Sequence, residues 1–204
     1  WNEDNFDIER LQYTREAYTA GKYAFVSDVA RVEALYQYGG VYMDTDVEVL
    51  KSFNPLLEAQ CILGMEEKEY VATSFMAFEK GHPLVKEFLN LYEQLSFLDK
   101  KGQIIAGTNV AKLTKMLKEK GFVQENHYQE LENGIQIYPK EFFSPYDYIN
   151  CHYNITENSY CVHYFAVSWM SKKEQVKKEI KKRIVKILGP EKMNEIREKL
   201  WKKN

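Results

Sequence analysis

The stretch from Gly39 to Asp46 constrains this 204-residue chain more than any other. Two glycines begin a short apolar run, Val41-Tyr42-Met43, which ends in Asp44-Thr45-Asp46. Because side chains alternate along a strand, we expect the two aspartates to project to the same side of a sheet. Converging carboxylates bind a hard divalent cation and leave coordination positions for phosphate oxygens. The stretch therefore predicts a metal–diphosphate site at a strand end.

Strand and helix patterns alternate along the chain, which is typical of an α/β domain. Tyr23–Val26 is a predicted strand, and Ser27 is the predicted N-cap of a helix that Gly39 terminates. Further strands are expected at 47–50, 61–64, 72–78, 135–138 (an edge strand) and 160–167, and helices at 81–95, 110–120, 172–188 and 191–202. We expect one domain over residues 1–170 and a basic helical tail over residues 171–204.

Charge is distributed unevenly between these two parts. Residues 171–204 hold 13 Lys and Arg against 5 acidic residues, whereas the first 170 hold 15 against 25. The basic residues are not interleaved with an aromatic platform, which argues against general nucleic-acid binding. The sequence has no apolar run long enough for a membrane span, and its three isolated cysteines favour reduced thiols. A cytoplasmic location is the expectation.

Asp28 and Arg31 precede the acidic stretch and stand three residues apart, on one face of the expected helix. One interpretation is a surface ion pair of little energetic value. The other is a ligand-binding pair at the carboxyl edge of the sheet, where α/β proteins bind ligands.

A phosphatase of the haloacid-dehalogenase type also presents Asp-x-Asp after an apolar strand, but it needs a later acidic pair. After Asp46 the chain has only Asp99 and Asp147, each isolated.

Two ordered motifs together resemble the core of a known enzyme family. Residues 27–31 read Ser-Asp-Val-Ala-Arg, and residues 38–46 read Tyr-Gly-Gly-Val-Tyr-Met-Asp-Thr-Asp. This block is similar to that of the DXD-motif sugar transferases of glycosyltransferase family 32, which includes capsular-polysaccharide glycosyltransferases and initiating mannosyltransferases of yeast. Clostridial glucosylating toxins carry a more distant version. The similarity is strong over residues 23–55 and looser as far as residue 169.

The resemblance implies a GT-A fold, with a mixed sheet flanked by helices and a C-terminal helical pair. It also implies a nucleoside-diphosphate-sugar donor, most simply a UDP-sugar, and Mn²⁺ or Mg²⁺. Asp46 would ligate the metal directly, and Asp44 would contact the ribose and the metal shell. Asp28 and Arg31 would bind the transferred sugar. Ser27 would lie on the nucleoside side, with Tyr42 lining the pocket.

The resemblance extends to residues near the end of the expected domain. Relatives carry a His and a Ser-Trp element beside the diphosphate, which here correspond to His163, Ser168 and Trp169. His163 would be a metal ligand, and Trp169 would donate to the β-phosphate. Thr108 and Asn109 lie where relatives have a Thr-Gly-Pro turn beside the sugar. The apolar first strand of relatives has no counterpart, so we expect either a fragment or a different way of holding the base.

The sequence thus predicts a metal-dependent, retaining glycosyltransferase of bacterial surface-polysaccharide synthesis, acting on a glycan or a lipid-linked glycan. Two alternatives stay open: a non-catalytic nucleotide-sugar-binding remnant, and an effector that glycosylates a host protein. The tail over residues 171–204 has apolar residues at helical spacing among lysines. It is either a helix packed on the domain or a peripheral contact with the inner face of the plasma membrane.

Overall fold

The computed structural model describes residues 5–66, 69–147, 152–165, 172–189 and 192–193. Its α-helices are α1 (Gln12–Thr19), α2 (Tyr23–Tyr38), α3 (Pro83–Glu93), α4 (Asn109–Glu119), α5 (Lys140–Phe143) and α6 (Lys172–Leu188). Its strands are β1 (Gly40–Met43), β2 (Val47–Val49), β3 (Cys61–Met65), β4 (Val71–Phe78), β5 (Gln129–Leu131), β6 (Ile135–Tyr138), β7 (Tyr146–Asp147), β8 (His152–Tyr153) and β9 (Cys161–His163). Short 3₁₀ turns cover Ile8–Arg10 and Asn54–Leu56. No helix in these ranges is both long and apolar enough to cross a bilayer.

The described strands form a central mixed sheet in the order β1-β4-β3-β6-β5. β4 runs antiparallel to both of its neighbours, whereas β3 and β6 are parallel. Separate two-stranded ribbons join β2 to β9 and β7 to β8. Helices flank the sheet, so the α/β prediction with a mixed sheet is confirmed.

Strand β4 separates two apolar clusters. Met76 and Phe78 face the larger cluster, which includes residues of helices α1 to α4. Phe75 and Ala77 point the other way, into a smaller aromatic cluster with Phe143. This alternation follows from the two-residue period of a strand, and it explains why the whole of β4 is buried.

One expected element has a different structure. Tyr23–Val26 is not a strand, because α2 begins at Tyr23 and includes Ser27 in its interior. Val26, Val29 and Val32 recur every three residues and are all buried, so packing of this helical face overrides the strand preference of Tyr-Ala-Phe-Val. Asp28 and Arg31 therefore lie in the body of a helix, not in its first turn.

The strand at Ile135–Tyr138 is present, but it does not lie at the edge of the sheet. β6 is paired on both sides, with β3 and with β5, and β5 was not foreseen. The alternation of buried Ile135 and Ile137 with more exposed neighbours is present, but it does not report whether a further strand follows. The domain boundary near residue 170 and most of the second tail helix lie outside the described residues and stay predictions.

Candidate metal and sugar-phosphate site

The acidic stretch forms a tight turn at the end of β1. Gly39 ends α2 with a φ of 67°, and a Cβ there would lie 2.6 Å from the backbone nitrogen of Lys80, so only glycine fits. β1 ends at Met43, and the backbone N–H of Asp44 donates to the carbonyl of Ser74 at 2.9 Å. The N–H of Val47 then donates to the carbonyl of Asp44 at 3.1 Å. The two aspartates converge because of this turn, and the expectation of strand alternation was wrong.

Asp44, Asp46 and His163 come together at this turn. Each offers a ligand atom, and the three atoms lie within 4.8 Å of one another. The pairing of β2 with β9 places Val47 opposite His163, which brings the imidazole Nε2 to 3.3 Å from Oδ1 of Asp46. Residues far apart in the chain thus form one cluster with the chemistry of a divalent-cation site.

The imidazole of His163 suits a role as a ligand. Its Nε2 faces Asp46, and its buried Nδ1 has no hydrogen-bond partner within the described residues. Burial lowers the pKa of His163, against the opposing effect of Asp46. The neutral imidazole that results is the form that coordinates a metal. Two carboxylates and an imidazole are compatible with several divalent cations.

Arg31 forms the second half of the site. Its guanidinium lies 3.0 Å from Oδ1 of Asp44 and 3.2 Å from Oδ1 of Asp28, and it donates to the carbonyl of Thr73 at 2.9 Å. The side chain of Arg31 is only 9% exposed. Tyr42 stacks its ring under the guanidinium at 4.7 Å, and its hydroxyl donates to the same Asp44 oxygen at 2.7 Å. The expected ion pair is therefore an interior contact, and the surface interpretation was wrong.

Asn109 extends this network to helix α4. Its amide nitrogen donates to Oδ1 of Asp28 at 2.8 Å, and its amide oxygen accepts from Thr73 at 2.9 Å. Burial raises the pKa of Asp28 to about 7, in spite of Arg31 and Lys112 nearby. The neighbouring Thr108 is exposed and caps α4 by accepting from the N–H of Ala111 at 3.2 Å. Of this expected pair, the structure connects Asn109 to the network and gives Thr108 a capping contact.

A cavity of about 500 Å³ adjoins the network on the side of α2. Ser27, Arg31 and Tyr42 line it together with the apolar and aromatic side chains of Phe6, Ile8, Tyr18, Tyr23, Val26, Ala30 and Ala34. An apolar pocket with a few polar groups at one side is typical of a small-molecule site. Ser27 and Tyr42 both line this cavity, and the place of Ser27 on the nucleoside side stays a prediction. Ser168 and Trp169 lie outside the described residues, and their roles stay predictions.

Sequence reasoning missed Tyr13, Tyr92 and Lys112. The hydroxyls of Tyr13 and Tyr92 are buried without a hydrogen-bond partner in the described part of the chain, and the Lys112 ammonium lies 5.5 Å and 5.6 Å from their ring centroids. Asp28 contributes to raising the pKa of both phenols, after burial. Aromatic residues at helical spacing indicate a core face, and nothing in one sequence marks these two as neighbours of Asp28.

Residues 1–63 match the glycosyltransferase sugar-binding region containing the DXD motif. The mouse (Mus musculus) lactosylceramide 4-alpha-galactosyltransferase is 30% identical over 125 residues, which are 61% of this chain and 33% of that protein. The chain is thus similar to DXD-type glycosyltransferases over the part that holds Asp28, Arg31, Asp44 and Asp46.

Two further proteins resemble the chain over shorter parts. Inositol phosphoceramide mannosyltransferase 3 of Schizosaccharomyces pombe is 31% identical over 71 residues, which are 35% of this chain and 20% of that protein. The solved structure of the PaToxG glycosyltransferase has 26% identity and a TM-score of 0.38, covering 52% of this chain and 38% of that one. That structural likeness is too partial to establish a shared fold. This chain matches 33% of the length of the mouse protein and 20% of the length of the S. pombe protein.

Proposed function

We propose that this protein is a metal-dependent glycosyltransferase that takes a sugar from a nucleoside-diphosphate sugar. One observation carries the proposal. Polar contacts run from Asp44 through Arg31 and Asp28 to Asn109, and the ligand atoms of Asp44, Asp46 and His163 lie within 4.8 Å of one another at one end of this network. The network thus joins a candidate cation site to side chains that can hydrogen-bond to sugar hydroxyls. In addition, residues 1–63 match a glycosyltransferase sugar-binding region.

The proposed roles follow from position. Asp46 and His163 would hold Mn²⁺ or Mg²⁺, with Asp44 completing the set. When bound, the cation stabilises the negative charge that develops on the departing diphosphate. Arg31 holds Asp44 in place through the contact at 3.0 Å, so its first task is to orient a ligand. Asp28 and Asn109 would bind hydroxyls of the transferred sugar, because their polar atoms lie at the far end of the same network.

The apolar cavity supplies a place for the nucleoside. Its volume of about 500 Å³ is in the range of small-molecule sites, and Ser27 and Tyr42 give it polar groups beside the cation cluster. A planar base would pack against the aromatic lining, with the diphosphate extending toward Asp44. A UDP-sugar is our proposed donor, and a GT-A domain over residues 1–170 the proposed frame.

The acceptor we propose is a sugar carried on a lipid. Two relatives are named for ceramide lipids with a polyhydroxylated head, a sugar in lactosylceramide and an inositol in inositol phosphoceramide. A lipid-linked glycan of bacterial surface-polysaccharide synthesis has the same chemistry. Retention of anomeric configuration and the place in capsule synthesis rest on the resemblance of residues 23–55 to family 32.

Donor hydrolysis and donor binding with UDP-glucose and UDP-galactose, with and without Mn²⁺, test the proposal. We expect Asp46→Asn to abolish Mn²⁺-dependent donor binding, because an amide is a far weaker ligand for a hard cation than a carboxylate. Asp99→Asn is the matched control. Its Oδ1 accepts two backbone N–H groups in a loop at 2.8 Å each, a task that an amide oxygen also performs.

Two results contradict the proposal. If Asp46→Asn and Asp99→Asn turn over donor like the parent, the site assignment is wrong. If the parent binds the donor with Mn²⁺ but neither hydrolyses it nor transfers the sugar to lactosylceramide or another lipid-linked sugar, the protein is a binding remnant and not an enzyme.

A further inference from the structure

Helix α6 carries an apolar stripe that faces outward. Val176, Ile180 and Ile184 stand four residues apart, and Ile187 and Leu188 continue the row, so all five share one side of the helix. Their exposure is high for such side chains, at 58% for Val176, 53% for Ile180 and 81% for Ile187. Isolated exposed apolar residues are ordinary, but a row of five along one helix indicates an interaction surface.

The same helix has a different, buried side. Val185 is only 4% exposed, although it is adjacent in sequence to the exposed Ile184. Since neighbouring residues are about 100° apart around a helix, Val185 lies well away from the centre of the stripe. Packing of the stripe on the domain therefore does not account for the exposure of its side chains.

The charge of α6 selects the class of partner. Its sequence holds eight Lys and Arg against two Glu within 17 residues. Lys177 and Arg183, next in sequence to Val176 and Ile184, have exposed side chains. A second copy of this helix would bring two strongly basic surfaces together, which repel. The apolar stripe and the basic charge of α6 together fit a membrane of anionic phospholipids. Its acyl chains accept apolar side chains, and its headgroups attract Lys and Arg.

We propose that α6 lies in the plane of an anionic membrane, with Val176, Ile180, Ile184, Ile187 and Leu188 inserted between acyl chains and the flanking lysines at the headgroups. This would hold the protein at the surface where lipid-linked acceptors reside. The proposal does not depend on the transferase activity, because it rests on α6 alone.

Vesicle co-sedimentation of the full chain tests it. We expect binding to phosphatidylcholine mixed with phosphatidylglycerol, weaker binding to phosphatidylcholine alone, and loss of binding at high salt. The double variant Ile180→Glu with Ile187→Glu should lower the vesicle affinity at least roughly tenfold, because two charges replace two inserted side chains. The control is Val123→Glu with Ile155→Glu, which also replaces two β-branched apolar residues by glutamate, at positions of about 50% exposure outside α6.

Further measurements keep the outcomes distinct. Lys177→Gln with Lys181→Gln should reduce the preference for anionic vesicles and leave the fold intact, which serves if the glutamate variant does not fold. Hydrolysis of a soluble donor without vesicles should stay at the parent level in every variant. The proposal is overturned if the parent ignores anionic vesicles, if it binds neutral ones equally, or if the α6 and control variants bind alike. A parent that dimerises through α6, with loss of the dimer in Ile180→Glu and no vesicle binding, also overturns it.

Discussion

The two halves of the site are built differently. The Arg31 half is interior: its guanidinium is bound by Asp28, Asp44 and the carbonyl of Thr73, and three separate elements supply these partners. The metal half sits on a turn and a short ribbon. There Asp46 has a side chain 23% exposed, and a ring nitrogen of His163 has no hydrogen-bond partner in the described part of the chain.

This difference indicates a division of labour. A half whose charged groups are already paired is held rigid before any ligand arrives, which suits the proposed positioning of a sugar. In the other half, the ligand atoms of Asp44, Asp46 and His163 are close enough for one cation to join them. Changes in the Arg31 half should therefore cost stability as well as binding, whereas Asp46→Asn should cost binding with little loss of stability.

Arg31→Met offers the largest test of this comparison. Removal of the guanidinium leaves Asp28 buried without its ion-pair partner, so we expect the free energy of unfolding to fall by about 3–5 kcal/mol. Urea denaturation followed by circular dichroism measures it. The matched control is Arg10→Met. Arg10 pairs with Glu33 at 2.6 Å, but its side chain is 39% exposed, and the expected loss is below about 1 kcal/mol. Equal losses in the two variants contradict an interior role for Arg31.

The pH dependence of stability gives a test of intermediate size. Burial raises the pKa of Asp28 from 3.8 to about 7, so between these values the folded state binds more protons than the unfolded state. The free energy of unfolding should therefore decrease as pH rises from about 4 to about 7, by up to about 4 kcal/mol, and level off above that range.

Asp28→Asn removes this titration and isolates its effect. The difference in unfolding free energy between the parent and Asp28→Asn should change across that pH range and become constant beyond it. Parallel pH profiles for the two proteins are inconsistent with a buried, proton-binding Asp28. In that case, the Arg31 half holds its carboxylate in the ionised form.

The smallest expected effect separates the neighbours Thr108 and Asn109. Thr108→Ala removes the cap of α4 and should cost about 1 kcal/mol of stability without raising the KM for the donor. Thr108→Ser keeps a hydroxyl for the cap and should keep the stability of the parent. Asn109→Ala breaks the contacts to Asp28 and Thr73 and should raise that KM. A raised KM in Thr108→Ala would place Thr108 in the sugar site.

Local features of the sequence determined a large part of this protein. The glycine pair ends α2 and starts β1 because its backbone has positive φ, a property that one residue type supplies. Alternating strand and helix patterns fixed the α/β class, since burial of one face imposes its period on the sequence. The spacing of Asp28 and Arg31 brings them together on a helix. The spacing of Asp44 and Asp46 brings them together on a strand or on a turn.

Only the tertiary structure decided how these parts meet. The meeting of Asn109 with Asp28, 81 residues apart, and of His163 with Asp46 depends on which strands and helices adjoin. Strand order and register are set by packing across the whole core, and a period in one segment carries no information about its neighbours. For the same reason α2 is helical through Tyr23–Val26, where local preference favours a strand but the buried face of valines packs only as a helix.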